Sequence, residues 1–234
     1  MAELVRQLPE ISERVLLLEL NHRVNNEFAS AINLVSVAAV RTDNPEVKAA
    51  LSNVVELLHQ HADVHRALKL PDRNAVVDAT AYLQALCRAM SQSKLDRAGI
   101  KLVLAADVVR LHSERCWQLG MIVYELVTNA ARHAFFEGRE GEVRVELSRA
   151  GATARCCVSD NGSPARAVRP GRGLKIIGEM VKNLGGQVDR SFGANGSSFS
   201  VALPFVGREQ QANRSLRGSY HIEAERKGLH HAQH

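Results

Sequence analysis

Two apolar seams joined by a turn constrain this chain more than anything else in it. From about Ile11 to Arg41 there is no Pro or Gly, and Leu17, Asn21, Val24, Phe28, Ala31, Val35 and Ala38 recur at alternating spacings of four and three. A heptad of that kind draws one apolar stripe along a helix and needs other helices to cover it. The run breaks at Thr42-Asp43-Asn44-Pro45-Glu46. Asn44 can cap a helix there, and Pro45 suits its first position. A second seam follows at Val47, Leu51, Val54, Leu58, His61, His65 and Leu68, and ends near Leu70-Pro71. The two seams predict a helical hairpin. One partner helix covers only part of each stripe, so hairpins from two copies are expected to pair as a four-helix bundle in a homodimer.

His22 directly follows the seam position Asn21 and lies on the outer flank of the stripe. Glu19 is three residues before it and Asn26 four after, so the three share a helix face. A carboxylate there could bond one imidazole nitrogen, fix the tautomer and leave the other nitrogen as a nucleophile. Taken alone, the helix fits an ordinary surface histidine better. His61 and His65 have the i, i+4 spacing of zinc ligands, but no acid or thiol completes a site nearby. Their seam positions mark them as packed core histidines.

After Pro71 the periodicity changes. Helices are expected over Ala79–Ser91, over Ser113–Phe136 with Ser113 as its cap, and over Leu174–Leu184, closed by Gly185-Gly186. Strands are expected at Ile100–Leu104, Glu142–Ser148, Ala152–Ser159, Gln187–Phe192 and Ser197–Pro204. Strands mixed with helices in this order indicate an α+β sandwich, a sheet with helices on one face. The polar stretch from Gly207 onward is expected to be disordered.

Three features of this second half can carry chemistry. Glu125, Asn129, Arg132 and His133 fall on one side of the Ser113 helix. An Asn amide oxygen is a hard neutral ligand that suits Mg²⁺, and Arg or His can donate to phosphate oxygens. Val158-Ser159-Asp160-Asn161-Gly162 puts an aspartate at a strand end, where it can accept from an exocyclic amine, although an ordinary turn would read the same way. Gly171-Arg172-Gly173-Leu174 opens a helix, whose bare N–H groups attract phosphate. That sequence is neither a P-loop nor a dinucleotide fingerprint. A fourth feature, Gly196-Ser197-Ser198-Phe199 running to Leu203-Pro204, is a glycine turn into a closing strand.

Composition narrows the functional classes. The net charge is +5, but the basic residues are scattered and aromatics are only 4%. A solvated surface fits this better than a nucleic-acid site. No apolar run approaches the roughly 18–20 residues of a membrane span, and the N-terminus has no signal-peptide pattern, which predicts a cytoplasmic protein. The four cysteines have no metal-ligand spacing. Cys156 and Cys157 are neighbours in an expected strand and point to opposite faces, so all four read as reduced thiols.

The ordered series of acid–amide helix, D-x-G, G-x-G-L and closing G-x-x-F-x-V-x-L-P resembles the ATP-binding (Bergerat) domain of the GHKL superfamily, to which gyrase and the histidine kinases belong. Leu20-Asn21-His22-Arg23-Val24-Asn25-Asn26 resembles the phosphoacceptor helix of the histidine kinases that usually read H-R-V-K-N-N, close to the HWE type. The resemblance covers about residues 12–206 and implies three regions. Residues 1–70 would be the dimerisation and phosphotransfer hairpin, 75–206 the GHKL α/β-sandwich domain, and 207–234 the tail.

The resemblance also implies roles. His22 matches the phosphorylated histidine, assisted by Glu19 and Arg23, and Asn129 the Mg²⁺-binding asparagine, with Glu125 the acid of the same box. Arg132 and His133 match the positions that face the phosphates, and Asp160 with Gly162 the reader of adenine. Gly171, Gly173 and Leu174 match the base of the ATP lid, with Ser163–Pro170 as a short lid, and Gly196 the last glycine box. The implied activity is ATP-dependent phosphorylation of His22, followed by transfer to an aspartate of a response-regulator receiver domain. The alternative is a histidine phosphotransferase that receives its phosphoryl group from another kinase and uses no ATP. Only about ten residues precede the hairpin, so sensory input is expected to arrive in trans. Asn25 stands where the family usually has Lys, which leaves Arg23 as the basic residue beside His22.

Overall fold

In a computed structural model of the chain, residues 2–71, 75–135, 140–162, 172–193, 196–214 and 219–220 are described. The chain divides into two compact units, Met1–Pro71 and Asp72–His234.

The first unit is the hairpin. Helix α1 runs Ala2–Arg41 and α2 runs Pro45–Ala67, so α1 begins well before the Ile11 expected from the seam. The turn is built as its residues dictate. The Asn44 side-chain oxygen accepts from the Glu46 and Val47 N–H groups at 2.9 and 3.4 Å, with Pro45 at the first helical position. Val24, Phe28, Ala31 and Val35 of the first seam are half-buried. Phe28 meets the ring of His65 across the hairpin, centroids 5.2 Å apart. His65 itself is exposed and His61 half-buried, so His65 is a flank residue rather than the core histidine that the heptad suggested. Large apolar side chains remain in water along α1, among them Leu16 at 64% exposure, Leu34 at 69% and Val40 at 79%.

The second unit is a six-stranded sheet with helices packed on it. In chain order its elements are β1 (Val76–Asp78), α3 (Ala79–Met90), β2 (Ile100–Asp107), β3 (Arg110–His112), α4 (Ser113–His133), β4 (Gly141–Ala150), β5 (Thr153–Asp160), α5 (Arg172–Asn183), β6 (Gln187–Gly193), β7 (Gly196–Pro204), α6 (Arg208–Arg214) and β8 (Ser219–Tyr220). The sheet order is β6-β7-β5-β4-β2-β8, and β1 pairs separately with β3. Only the β2–β4 pair is parallel. All the others are antiparallel.

Burial alternates along the strands. Val143, Val145 and Leu147, then Ala154, Cys156 and Val158, then Phe199, Val201 and Leu203 are all buried. Period-two burial means that one face of the sheet carries the core. Leu83, Leu86 and Cys87 from α3, Leu119, Ile122 and Leu126 from α4, and Ile177 and Val181 from α5 are among the buried helical residues.

Three expectations are corrected. Ser113 is the buried first residue of α4 and not its cap; His112 holds the cap position, without a side-chain cap bond. The short strands β1 and β3 went unseen, since three residues carry no readable period. The chain past Gly207 is not uniformly disordered: Arg208–Arg214 is helical, and its Glu209 is 0% exposed. Residues 215–218 and 221–234 of the expected tail lie outside the described residues.

Helix α6 is anchored by polar groups that share no local pattern. Glu209 accepts from the His112 N–H at 2.7 Å and the Val206 N–H at 3.1 Å, and pairs with Arg115 Nε at 3.0 Å. Arg115 also donates to the Leu184 and Pro204 carbonyls at 2.9 and 2.7 Å. Asn213 bonds both the N–H and the C=O of Arg110. Removing one partner of a buried pair leaves the other uncompensated. We expect Glu209→Ala to cost this unit about 3 kcal/mol, read from chemical denaturation through the emission of Trp117 on α4. A loss within experimental error would mean that α6 is an accessory.

The cysteines are unpaired, and Cys87, Cys116 and Cys156 are buried while Cys157 is half-buried. Burial pushes the Cys87 and Cys116 thiols up to about 12 and raises Cys156 as well. In the native protein a thiol reagent at pH 8 should modify Cys157 first and leave the other three until unfolding. Because their folded values are raised, the thiols' contribution to stability is present below the unfolded thiol range and falls as pH rises through it. Unfolding midpoints should therefore drop above about pH 9. Rapid native modification of Cys87 would contradict this packing.

Candidate functional site

The second unit holds a cleft of about 350 Å³ between α4, the start of α5 and the ends of β5, β6 and β7. The helical periodicity of α4 brings Glu125, Asn129, Arg132 and His133 to its wall, as their spacing predicted. Asp160 comes from the end of β5, Gly173 and Leu174 from the first turn of α5, and Gly196 from the start of β7. Gly162 does not line the cleft but supports it from behind. Gly171 and the expected lid Ser163–Pro170 lie outside the described residues.

Asp160 is held in place by groups on both sides. Its Oδ1 accepts from the Gly162 N–H at 3.0 Å and the Ser197 N–H at 3.4 Å, and its Oδ2 accepts from the Ser197 hydroxyl. Two close approaches make this geometry possible. A Cβ on Gly196 would lie 1.8 Å from the Asp160 carbonyl oxygen, and its φ of 127° also disfavours any side chain. A Cβ on Gly162 would lie 2.3 Å from the Ala134 carbonyl oxygen, so only glycine lets the β5 end tuck against the end of α4. The carboxylate keeps unused lone pairs toward the cleft and can accept a further hydrogen bond there.

The opposite wall suits phosphate and a hard cation. Gly173 sits so close to α4 that a Cβ there would lie 3.1 Å from Glu125 Oε2 and 3.6 Å from Asn129 Nδ2. The bare N-terminal turn of α5 thus opens beside an acid and an amide, with Arg132 and His133 on the same wall. No cluster of three or more His, Cys, Asp or Glu forms a self-sufficient metal site among the described residues. Asn129 and Glu125 offer oxygen donors of the kind Mg²⁺ takes when phosphate and water complete its shell. The donor set therefore fits Mg²⁺ brought with a polyphosphate.

His22 lies in the first unit, exposed on α1. Its tautomer partner differs from the one read from the sequence. Glu19 pairs with Arg23 at 2.9 Å, and that hydrogen bond holds the Glu19 carboxyl below its ordinary value. The Asn26 amide nitrogen lies 3.2 Å from His22 Nδ1 instead, placed to donate to it. An i, i+4 reach brings Asn26 under the ring, whereas the longer Arg23 side chain takes the carboxylate. Nε2 faces water. Ser197, Phe192 and Phe199 also line the cleft and were missed as site residues. Only the D-x-G and G-S-S turns hinted at Ser197.

Comparison with known proteins now decides the family. The family described as Histidine kinase matches residues 19–94, and that described as Histidine kinase-like ATPase domain matches residues 91–197. The chain belongs to the histidine kinases. It is 28% identical over 212 residues to Blue-light-activated histidine kinase 2 of Erythrobacter litoralis, covering 86% of this chain and 58% of that kinase. It is 30% identical over 154 residues to Sensor histidine kinase PdtaS of Mycobacterium tuberculosis, covering 65% of this chain and 30% of that one. The histidine kinase chain thus spans little more than half of the former relative and under a third of the latter. The histidine kinase domain of the Erythrobacter litoralis EL346 blue-light-activated kinase shares its fold, with a TM-score of 0.55 at 21% identity, covering 78% of this chain and 98% of that domain. The described helices include none long and apolar enough to cross a membrane.

The tight contact at Gly196 yields a test. Gly196→Ala should free the Asp160 carboxylate, so that the Gly162 and Ser197 amides exchange their hydrogens much faster, about tenfold or more for a loss of ~1.5 kcal/mol of local stability. Unchanged exchange at both amides would show that the turn adapts.

Proposed function

We propose that this chain is an ATP-dependent protein histidine kinase that phosphorylates His22 and passes the phosphoryl group to an aspartate of a response-regulator receiver domain. The observation that carries this reading is the cleft itself, where a glycine-held carboxylate faces an amide–acid wall at a helix N-terminus. Asp160 accepts from the adenine amino group. The α5 N-terminus, Arg132 and His133 take the phosphates. Asn129, with Glu125 beside it, would hold Mg²⁺, which when bound neutralises charge on the phosphates.

At His22, Nε2 attacks the γ-phosphorus, the bond to the bridging oxygen breaks, and ADP leaves with the electron pair. For Nε2 to carry the free lone pair, the ring proton must rest on Nδ1. As placed, the Asn26 amide nitrogen donates to Nδ1, so the attacking tautomer requires the Asn26 side chain to flip and present its amide oxygen to the Nδ1 proton. The exposure of His22 then suits both ATP and a receiver domain as phosphoryl partners. The exposed Leu16, Leu34 and Val40 of α1 favour pairing of the hairpin with a second copy, because apolar stripes of that length are normally covered.

Incubation with γ-labelled ATP and Mg²⁺ tests the reading. Wild type should acquire acid-labile, base-stable label and His22→Ala none; Asp160→Ala should also stay unlabelled. Equal label on wild type and His22→Ala would remove His22 from the reaction. Absence of label on wild type, with His22 loaded by a phosphorylated receiver, would make the chain a phosphotransferase.

A further inference from the structure

Phe192 is a large aromatic side chain left 56% exposed at the rim of the cleft. The strand registers explain its position. Phe192 pairs directly with Ser197 across β6 and β7, and Arg190 pairs with Phe199. Directly opposed residues project to the same face of a sheet, and so do residues two apart along a strand. Phe192, Ser197 and Phe199 therefore share one face. Val158 pairs with Phe199, and Ser159 with Ser198, which places Asp160 next to Ser197 on that face as well. The carboxylate, its hydroxyl partner and two aromatic rings form one continuous surface, and all of them line the cleft.

The two rings meet edge to face, with centroids 5.5 Å apart and planes at 88°. In either orientation of such a pair, at least one face of Phe192 is free of Phe199. Phe199 is buried, at 9% exposure, and anchors the pair in the core. Phe192 is thus a braced aromatic plane that presents an unused face beside a hydrogen-bond acceptor. A planar heteroaromatic base carrying an exocyclic amine satisfies both features, stacking on the ring while donating to the carboxylate.

We infer that Phe192 is the stacking wall for the nucleobase in this cleft and sets its preference for a nucleotide over a bare polyphosphate. The inference rests on the nucleotide reading above, and its test separates the two. Binding of ADP with Mg²⁺ to the full chain is measured by calorimetry for wild type and for Phe192→Ala, Phe192→Leu and Phe192→Tyr. Loss of one base–aromatic stack should weaken Phe192→Ala roughly tenfold. Phe192→Tyr should bind like wild type, and Phe192→Leu should fall well below it. In Phe192→Trp the added emission should be quenched by ADP and not by inorganic tripolyphosphate. An Ala variant as tight as wild type, a Leu variant equal to wild type, or a Trp variant blind to ADP would each overturn the stacking role and leave the nucleotide reading intact. Failure of wild type to bind ADP would overturn both. Because the side chain is more than half exposed, the variants should unfold at the wild-type midpoint; a Phe192→Ala that melts early and alone loses ADP would show the ring to be a packing residue instead.

Discussion

The carboxylate of Asp160 sits where β5 runs out of the sheet, and the rest of the site is arranged around its restraint. One oxygen accepts two backbone N–H groups and the other a hydroxyl. A charge at a strand end would otherwise turn to water, as exposed aspartates do. Here the approaches at Gly162 and Gly196 bring backbone from α4 and β7 into contact with β5. The same contacts draw β7 beside β5, and with it β6, so the aromatic rim is a consequence of how the carboxylate is fixed. A stiffly held acceptor can discriminate between ligands, whereas a mobile carboxylate adapts to many.

A second polar constraint lies away from the cleft. Glu209 is wholly buried, and two backbone N–H groups and Arg115 share its charge. Arg115 belongs to the first turn of α4, the helix whose later turns carry Glu125, Asn129, Arg132 and His133. The guanidinium also binds carbonyls at the end of α5 and the end of β7. Burying an ion pair gains little over an apolar contact of the same size, but it is specific about geometry. That specificity ties α4, α5 and β7 at one end, while the cleft occupies the other end of the same three elements.

The hairpin follows different physics. Its contacts are repetitive and local in sequence, its turn is set by one asparagine and one proline, and much of its apolar surface faces water. The surroundings of His22 illustrate the limits of spacing. His22, Glu19, Arg23 and Asn26 occupy one helix face, as periodicity requires, yet periodicity did not decide which pairs form. Glu19 reaches Arg23 because opposite charges four residues apart match in length, and the short amide of Asn26 is left for the imidazole.

Features with a long period or a dedicated residue were legible in the sequence: the hairpin and its cap, the face of α4, the acid before Gly162, and the alternating strands. Features built by pairing between distant segments were not. Strands β1 and β3 are three residues each and exist only because they meet. Helix α6 is polar in composition and is ordered by Arg115 and Arg110, far earlier in the chain. Ser197 and Phe192 gain their places beside Asp160 from the register of β5, β6 and β7. Side-chain chemistry and local period are written along the chain, so the sequence by itself determined the long helices and strands, their order and the candidate phosphate, cation and base ligands. Which of those groups touch, and which unremarked neighbours complete the site, was decided by tertiary structure, because contacts between segments far apart in sequence leave no local period to read.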